Sequence, residues 1–335
     1  MTTVAVVGAT GAVGRTMQRI LAERSFPVSD LRLAASERSA GAVVDSPFGQ
    51  VEVEDLAVMD PTGIDIALFS AGGDRSRAHA GRFAESGAVV VDNSSAFRMD
   101  PSVPLVVAGV NDGAIESHSG IVANPNCTTM TLMMAAGPLH RTAGLSSMVA
   151  TSYQSVSGSG QAGVSELVRQ NEILGDHVDR LIEGGWDDPG PGIYERPIAY
   201  NVLAMAGSLQ EDGYTDEELK LVNETRKILD HPDLAVEPSC VRVPVFVGHS
   251  IAATLRFDRP ISVDEAMATL ASAPGVELWK DRTPTPLDSA GRDAVLVGRV
   301  RQGLGDGDTI NLWAVGDNLR KGAALNAVQL AELLI

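Results

Sequence analysis

The sequence has few cysteines, no long apolar run and a shortage of basic residues, and each excludes a class of protein. Its two cysteines, Cys127 and Cys240, lie far apart and outside any Cys-x-x-Cys spacing, so we expect neither a disulfide framework nor a metal site. No run of about 18 apolar residues occurs, so we expect no membrane span. The net charge of −17 argues against nucleic acid and anionic membranes as partners.

What is present is typical of a globular protein. Apolar residues make up 44% of the 335 residues, and a chain of this length forms about two domains of roughly 150 residues. Residues 1–7 lead directly into a strand-like stretch without a basic segment or cleavage site, so we expect a cytoplasmic protein. The overall acidity does not exclude a small anionic substrate held by a few arginines.

The first part of the chain alternates short apolar strands with amphipathic helices. The predicted strands are 4–7, 31–35, 64–70, 88–92, 105–110 and 121–123. Near-continuous apolar strands separated by helices are typical of a parallel sheet covered on both faces. The sequence therefore predicts an α/β protein whose N-terminal domain, residues 1–128, is a doubly wound Rossmann domain.

The pattern changes near residue 130. Valines recur at every second residue from Val241 to Val247, which predicts a strand with one buried face. Residues 251–257 follow after a short turn, which suggests antiparallel pairing with that strand. We expect an α+β domain over 129–317, with a mixed or largely antiparallel sheet, and a C-terminal helix, 318–335, that completes the first domain.

A glycine-rich loop lies between the first predicted strand and the helix that follows it. Glycines there let the backbone turn sharply and approach a pyrophosphate, whose charge then lies at the helix N-terminus. We therefore predict a dinucleotide site, and its expected contacts are Gly8, Thr10, Gly11, Ala12, Val13 and Gly14.

The residues after the second predicted strand bear on the choice between NAD and NADP. An acidic side chain there binds the ribose 2′-hydroxyl, whereas arginine and hydroxyl groups suit a 2′-phosphate. Ser36, Arg38 and Ser39 favour NADP, and Glu37 among them leaves NAD open. The predicted cofactor is NADP, or NADPH in the reducing direction.

Cys127 follows a predicted strand and opens a predicted helix. The helix dipole at this position is expected to lower the thiol pKa below about 8.5 and to favour the nucleophilic thiolate. Helix N–H groups and the amide of Asn126 are expected to stabilise an oxyanion on an attacked carbonyl. Cys240 has no evident base beside it, so we expect a buried structural residue.

Several blocks of sequence together point to one enzyme family. They are the glycine loop at 8–14, Asp92-Asn93-Ser94-Ser95-Ala96-Phe97-Arg98, Asn124-Pro125-Asn126-Cys127-Thr128-Thr129, Ser152-Tyr153-Gln154-Ser155-Val156-Ser157-Gly158-Ser159-Gly160, Cys240-Val241-Arg242-Val243-Pro244-Val245 and Gly248-His249-Ser250. In this order they resemble the aspartate-semialdehyde dehydrogenases, and the resemblance runs the length of the chain.

The resemblance implies catalytic roles. Cys127 would be the nucleophile that forms an acyl-thioester, and Asn126 would stand beside it. Gln154 would orient the substrate near the thiol, and His249 would be the general acid/base. Three further residues would contact the cofactor: Ser157, Gly158 and Asn318.

The resemblance also implies a set of charged substrate contacts. Arg242 would bind the substrate α-carboxylate, for which a planar guanidinium suits bidentate pairing. Arg98 and Lys220 would hold the phosphate, and Glu217 would pair with the substrate ammonium. Two simpler interpretations stay open: Arg98 as a structural ion-pair partner of Asp92 or Asp100, and Glu217 with Lys220 as an ordinary surface pair at i, i+3.

The implied reaction is the reversible, NADPH-dependent reductive dephosphorylation of L-aspartyl 4-phosphate to L-aspartate 4-semialdehyde. In the family this step serves the biosynthesis of lysine through diaminopimelate, of threonine and of methionine. The resemblance further implies a homodimer or homotetramer that binds small molecules.

The sequence also presents a geometric difficulty and alternative functions. Strict strand alternation would place Arg242 and His249 on opposite faces, so we predict a bulge, or His249 beyond the strand end.

The alternative enzymes are another acyl-phosphate reductase, such as one acting on N-acetylglutamyl phosphate, and, more distantly, glyceraldehyde-3-phosphate dehydrogenase. A catalytically idle NADP-binding regulator is the alternative outside enzymes.

Overall fold

The computed structural model describes residues 2–175, 178–186, 188–190, 192–305 and 307–335. These residues form a seven-stranded sheet in the first part of the chain and a six-stranded sheet in the second. The predicted α/β fold class is confirmed. Within the described ranges, no helix combines the length and the apolar character needed to cross a lipid bilayer.

The first sheet is parallel apart from a hairpin at one edge. Its strands are β1 (Thr2–Val7), β2 (Val28–Ala35), β3 (Val43–Ser46), β4 (Gly49–Asp55), β5 (Ile66–Phe69), β6 (Val89–Asp92) and β7 (Ile121–Ala123). They lie in the order β3-β4-β2-β1-β5-β6-β7, and β3 pairs antiparallel with β4. Helices α1 (Ala12–Glu23) and α2 (Gly73–Glu85) follow β1 and β5. The order reverses at β1, and ligands of such sheets bind beside the carboxyl ends of the strands at that point.

Both faces of this sheet are covered, which explains its continuous apolar strands. On one face Val4 and Val6 of β1 join the core cluster that contains Ile20 of α1. On the other face Ala5 and Val7 share a cluster with Phe83 of α2. Because successive strand residues point to opposite faces, a strand buried on both faces needs an apolar residue at every position.

The second sheet is mixed, as predicted. Its strands are β8 (Leu145–Gln154), β9 (Ala235–Arg242), β10 (His249–Phe257), β11 (Val276–Trp279), β12 (Val295–Gln302) and β13 (Thr309–Gly316). They lie in the order β11-β12-β13-β10-β8-β9, with β8–β9 and β11–β12 parallel and the other pairs antiparallel. The accompanying helices are α3 (Cys127–Ala143), α4 (Gly160–Leu174), α5 (Val178–Glu183), α6 (Asp216–Ile228), α7 (Val263–Ser272) and α8 (Pro286–Ser289).

Helix α3 joins the two sheets through a buried core. Met130, Leu132 and Met133 share one apolar cluster with Leu145 of β8 and Leu312 of β13. The helix starts directly after β7, so its first residue lies at the carboxyl edge of the first sheet while its body packs against the second. The N-terminus of α3 therefore lies where the two sheets meet.

Three local predictions were wrong. The strand predicted from Val241 to Val247 ends at Arg242, and the residues from Val243 to Gly248 form a connection. In the sheet β8 lies between β9 and β10, so the predicted antiparallel pairing of these two segments does not occur. The segment 105–110 makes an isolated bridge at Leu105 instead of a strand, and the β3–β4 hairpin was not predicted.

The last segment of the chain returns to the first sheet. Arg320–Ala324 form a turn of π-helix, and α9 (Leu325–Leu333) follows it. Leu325, Val328 and Leu330 belong to the same core cluster as Val4. The chain is thus helical from Arg320 to Leu333, and α9 packs on the first sheet although the whole second sheet precedes it in sequence.

Candidate active site

The glycine loop lies at the carboxyl end of β1 and leaves the first turn of α1 open. Gly8 has a φ of +85°, and a Cβ there would lie 2.2 Å from the carbonyl oxygen of Ser70. A Cβ on Gly14 would lie 2.3 Å from the carbonyl oxygen of Gly8. The N-cap residue of α1 is Gly11, and no side chain caps this helix. Such a loop fits a dinucleotide, because backbone N–H groups and a helix N-terminus face the place of the pyrophosphate.

The residues predicted to select NADP lie next to this loop. Glu37–Ser39 form a single 3-10 turn after β2, with Arg38 exposed and Ser36 and Ser39 half-buried. Since β2 pairs parallel with β1, the turn and the glycine loop share one edge of the sheet. The arrangement fits the adenosine ribose of a dinucleotide bound across the loop.

Cys127 is the first residue of α3, and Asn126 is its N-cap. The Asn126 side-chain oxygen accepts hydrogen bonds from the backbone N–H groups of Thr128 at 2.9 Å and Thr129 at 3.4 Å. These N–H groups, expected from the sequence to face an oxyanion, are instead engaged in the cap. On the other side the π-helical turn packs closely, because a Cβ on Gly322 would lie 2.9 Å from the Cβ of Cys127.

The second sheet contributes three predicted residues from one edge. Gln154 ends β8, Arg242 ends β9, and the two are paired in register. His249 begins β10, which runs antiparallel to β8, so it lies at the same edge and beyond the end of the strand that carries Arg242. Gly248, with a φ of +91°, makes the turn into β10. Because Arg242 and His249 lie on two different strands, the alternation of side chains along one strand does not set them on opposite faces.

Cys127 and His249 are in direct contact. The Sγ of Cys127 lies 3.2 Å from the Nε2 of His249, whose side chain is fully buried. Burial and the nearby Arg242 lower the pKa of His249 to about 3. Burial and the carboxylate of Glu217 raise the pKa of the Cys127 thiol to about 11, against the opposing effect of the cations Arg98 and Arg242. Burial thus favours the neutral form of both groups, and for the thiol this opposes the effect expected from the helix dipole.

Arg242 is buried with an unused donor. One guanidinium N–H group donates to the carbonyl oxygen of Ser155 at 2.8 Å. Within the described part of the chain the buried Nε has no hydrogen-bond partner. A buried cation with a free N–H group is costly unless an anion pairs with it, so this position is suited to a substrate carboxylate.

Arg98 forms a buried ion pair with Glu224, and not with the Asp92 or Asp100 considered from the sequence. Its guanidinium donates to the Glu224 carboxylate at 3.0 Å and to the carbonyl oxygens of Asn93 and Asn124. Glu224, which is 1% exposed, also accepts the backbone N–H of Asn126 at 2.6 Å. One available signal was helical spacing, because Glu224 lies two turns after Glu217 on the same face of α6.

Lys220 and Glu217 are also paired with each other. The Lys220 ammonium lies 3.2 Å from Glu217 and 2.6 Å from Asp216. Burial lowers the pKa of Lys220, but these carboxylates outweigh it and raise the pKa overall. Glu217 also accepts a hydrogen bond from the Asn126 side-chain amide at 2.8 Å. This pair therefore reaches the residue beside the nucleophile and is more than a surface contact.

The other residues predicted to contact the cofactor, Ser157, Gly158 and Asn318, lie next to His249. The side-chain amide of Asn318 donates to the Ser157 hydroxyl at 2.9 Å, and its oxygen accepts the backbone N–H of Gly248 at 2.9 Å. A Cβ on Gly158 would lie 3.1 Å from a guanidinium nitrogen of Arg242 and 3.3 Å from the His249 ring. Their contact with a dinucleotide stays a prediction.

A cavity of about 890 Å³ opens over these groups. Its lining includes six of the predicted site residues: Asn126, Cys127, Gln154, Gly158, Glu217 and Arg242. Arg98 and Lys220 are not part of the lining and lie behind it. A loop containing Tyr194 and Leu203 also lines the cavity, and Leu203 pairs with the backbone of Arg242. The site therefore brings a thiol, an amide and charges of both signs to one opening, with the buried His249 imidazole in contact with the thiol.

Removing Glu224 is expected to destabilise the protein. Glu224→Ala leaves the buried Arg98 guanidinium without its carboxylate, and breaking a buried ion pair costs about 3–5 kcal/mol of unfolding free energy. Urea denaturation of both proteins measures this difference. Glu332→Ala, which removes the partly exposed partner of Arg24, is the matched control with an expected cost below about 1 kcal/mol. Equal losses in the two variants would contradict the buried-pair interpretation.

Known proteins share this architecture over the full chain. Residues 3–118 match the family model "Semialdehyde dehydrogenase, NAD binding domain", and residues 137–321 match "Semialdehyde dehydrogenase, dimerisation domain". The aspartate-semialdehyde dehydrogenase of Streptomyces akiyoshiensis is 55% identical, over 99% of this chain and 98% of that protein. The chain belongs to the aspartate-semialdehyde dehydrogenase family. The aspartate-semialdehyde dehydrogenase of Mycolicibacterium smegmatis is 50% identical to this chain, over 100% of this chain and 99% of that protein.

Solved structures of aspartate-semialdehyde dehydrogenases have the same fold. A crystal structure of aspartate semialdehyde dehydrogenase II complexed with ASA, from Vibrio cholerae, has a TM-score of 0.93 and 43% sequence identity. The match covers 100% of this chain and 98% of that one. The enzyme class predicted from the sequence is confirmed, and a nicotinamide cofactor follows from the matched NAD binding domain.

Proposed function

We propose that Cys127 is the nucleophile of this aspartate-semialdehyde dehydrogenase and that NADPH is its reductant. The observation that carries the proposal is the 3.2 Å contact between the Cys127 sulfur and the His249 ring at the opening of the cavity. The substrate would be L-aspartyl 4-phosphate, and the product L-aspartate 4-semialdehyde. The complex of the Vibrio cholerae relative with ASA supports the binding of that ligand by this chain as well.

The proposed mechanism begins with attack of the Cys127 sulfur on the acyl carbon. The carbon–oxygen bond to phosphate breaks, and an acyl-thioester forms on Cys127. Arg242 holds the α-carboxylate through its free N–H group, and Glu217 pairs with the ammonium. Gln154 beside Arg242 orients the acyl group. His249 acts as the general acid/base: it takes the thiol proton as the sulfur attacks and returns it when the thioester is reduced, while the departing phosphate takes a proton from solvent. The bound nicotinamide supplies the hydride that takes the thioester to the aldehyde level.

Two cations behind the cavity would hold the phosphate. Lys220 and Arg98 are both paired with carboxylates, Lys220 with Glu217 and Arg98 with Glu224. The proposed substrate carries an ammonium and a phosphate, so it supplies new partners for Glu217 and Lys220 at the same time. A substrate with an acylated amine would leave Glu217 without a cation, which favours the aspartyl over the N-acetylglutamyl substrate.

We propose NADP over NAD because of the turn after β2. Ser36, Arg38 and Ser39 offer hydroxyl groups and a guanidinium to a 2′-phosphate, and Glu37 is the group that opposes it. The glycine loop, with Gly8, Thr10, Gly11, Ala12, Val13 and Gly14, would hold the pyrophosphate. Ser157, Gly158 and Asn318 would contact the nicotinamide end.

We also propose the organisation of the chain and its setting. Residues 1–128 with 318–335 would form the dinucleotide domain, and 129–317 the catalytic and dimerisation domain. A homodimer or homotetramer is supported by the matched dimerisation model. The proposed place is the cytoplasm, where a kinase would supply the acyl phosphate, and the pathway is that of lysine, threonine and methionine.

An assay in the oxidative direction tests this proposal. We expect purified protein with L-aspartate 4-semialdehyde and NADP to form NADPH only when inorganic phosphate is added. We expect kcat/KM with NADP to exceed that with NAD by at least about tenfold, the effect of one charged hydrogen bond of about 1.5 kcal/mol. Intact NADP binding without turnover would instead favour the idle regulator. Faster turnover of the N-acetylated glutamate semialdehyde would favour the other reductase.

A further inference from the structure

One buried cation lies close to the nucleophile and has no part in the proposed mechanism. Lys321, on the π-helical turn, is 2% exposed, and the next residue is Gly322, which packs closely against Cys127. Among the described residues, no carboxylate forms an ion pair with the Lys321 ammonium. Burial lowers the pKa of Lys321 to about 7, and the carboxylate of Asp112 opposes this. A buried cation without a paired carboxylate is costly, so its neighbours must compensate for the lost water.

Three neutral oxygens hold this ammonium. It donates to the carbonyl oxygen of Ala108 at 2.8 Å, to the side-chain oxygen of Asn326 at 2.9 Å and to that of Gln329 at 2.8 Å. The three acceptors match the three N–H groups of a protonated lysine. A neutral amine has only two N–H groups and would leave one buried acceptor without a donor, so these contacts oppose loss of the proton.

Main-chain groups fix the orientation of the Asn326 amide. Its side-chain oxygen also accepts the backbone N–H of Ala108 at 3.0 Å, and a main-chain N–H group can only donate. The amide nitrogen therefore faces the other way, where it donates to the carbonyl oxygen of Val106 at 3.0 Å and to the side-chain oxygen of Asn124 at 2.6 Å. One fully buried amide thus connects Lys321, on its oxygen, to Asn124, on its nitrogen.

Asn124 extends this network to the chain just before the nucleophile. Its side-chain nitrogen donates to the side-chain oxygen of Asn93 at 2.6 Å and to the carbonyl oxygen of Ala323 at 3.1 Å. Asn124 belongs to the loop that leads from β7 into α3, and Ala323 belongs to the π-helical turn. The network therefore joins the two segments that pack around Cys127, the loop before it and the turn that carries Gly322.

We infer that Lys321 is a positioning residue for the nucleophile Cys127. Through the amides of Asn326 and Asn124, its ammonium fixes the π-helical turn against the loop before α3. The sulfur that lies between them is thereby held at its 3.2 Å contact with His249. A displacement of about 1 Å in a catalytic site is enough to slow a reaction about 10²-fold. This inference rests on the proposed role of Cys127 and assigns a role to a lysine that does not line the cavity.

Asn326→Asp tests the network without removing the lysine. The two side chains have the same shape, and one carboxylate oxygen still accepts from Lys321. The other oxygen takes the place of the amide N–H groups and repels the side-chain oxygen of Asn124. We expect kcat to fall at least about tenfold, with KM for aspartate semialdehyde within about threefold of the wild-type value. The reason for this split is that the proposed substrate contacts do not belong to the network.

Alkylation by iodoacetamide reports on the Cys127 sulfur without any turnover. A sulfur that has moved away from His249 loses the base beside it, so we expect Asn326→Asp to lower the alkylation rate at least about threefold. Mass spectrometry of peptides distinguishes alkylated Cys127 from alkylated Cys240. If Lys321 only joined α9 to the segment 105–110, the variant would lose stability and keep this rate, which would overturn the inference.

Lys321→Met tests the ammonium itself. Methionine keeps an unbranched apolar stem and leaves the three oxygens without their donor. We expect the same pattern as for Asn326→Asp, and the double variant should lose little more than the larger single loss, because both changes break one network. Lys280→Met is the matched control at an exposed lysine and should keep the wild-type kcat.

Either variant, when folded, overturns the inference if its kcat and its alkylation rate stay within about twofold of wild type. Thermal unfolding shows which variants fold, and if Lys321→Met does not, Asn326→Asp decides alone, since its lysine keeps all three acceptors. Wild-type protein without turnover would refute the proposed function. The alkylation rates would still decide the inference in that case, because they need no reaction with substrate.

Discussion

Cys127→Ala is expected to abolish turnover of aspartate semialdehyde and to leave NADP binding nearly unchanged. The thioester needs a sulfur at the start of α3, and a methyl group in its place offers no nucleophile. We expect kcat to fall on the order of 10⁶-fold, the loss that follows removal of a nucleophile whose partners act as a unit. Steady-state assays measure the rate, and titration with NADP checks the dinucleotide site, which lies on a different strand end.

Cys240→Ala is the matched control for this experiment. Cys240 is the other cysteine of the chain; it is buried in β9 and is not part of the lining of the cavity, so its thiol is not placed to attack a substrate there. This variant is expected to keep most of the wild-type activity. Mass spectrometry of wild-type protein mixed with substrate should find an acyl adduct on a peptide containing Cys127. If Cys127→Ala kept more than a trace of activity, the thioester mechanism would have to be abandoned.

Arg242→Leu is expected to have the second largest effect, chiefly on substrate capture. Leucine fills a similar space but removes the guanidinium whose Nε has no partner among the described residues. The substrate carboxylate would then enter a buried position without a cation. Loss of one partner of a buried charge pair costs about 2–5 kcal/mol, so we expect kcat/KM to fall by about 10²- to 10³-fold, mostly through KM.

Arg242→Lys separates charge from geometry at this position. Lysine keeps the positive charge but loses the planar fork that pairs with both carboxylate oxygens, so an intermediate loss is expected. The cofactor KM should stay within about threefold of the wild-type value in both variants, since neither change touches the glycine loop. A substrate KM that does not change in Arg242→Leu would refute the carboxylate role, and the binding of the α-carboxylate would have to be sought elsewhere along the cavity.

The sequence predicted the first sheet well because each of its central strands is an apolar run buried on both faces. The β3–β4 hairpin was not predicted because its residues are mostly exposed or half-buried and form no continuous apolar run. The strand that was wrongly predicted from Val241 to Val247 has a different explanation. Its valines alternate correctly, but the proline at Pro244 lacks an N–H group and Gly248 takes a positive φ, so the ladder cannot continue.

The sequence identified the residues of the candidate site but not the ion pairs that they form. Motifs located Cys127, Gln154, Arg242 and His249, and the two sheets bring these residues to one cavity or its wall. The pair between Arg98 and Glu224 joins residues 126 positions apart, and no local pattern encodes such a contact. The thiol pKa was predicted from the helix end alone, whereas the burial that raises it comes from the packing of distant segments around the sulfur.

The close packing of Gly322 against Cys127 has a consequence for biosynthesis of the enzyme itself. Gly322 follows Cys127 by 195 positions in sequence, and a ribosome delivers the earlier residues first, so the sulfur emerges long before the turn that shelters it. Helix α9 is likewise synthesised after all the strands, although it packs on the first sheet. A nascent polypeptide that has not reached these residues therefore lacks part of the core of its first sheet and the close surroundings of Cys127.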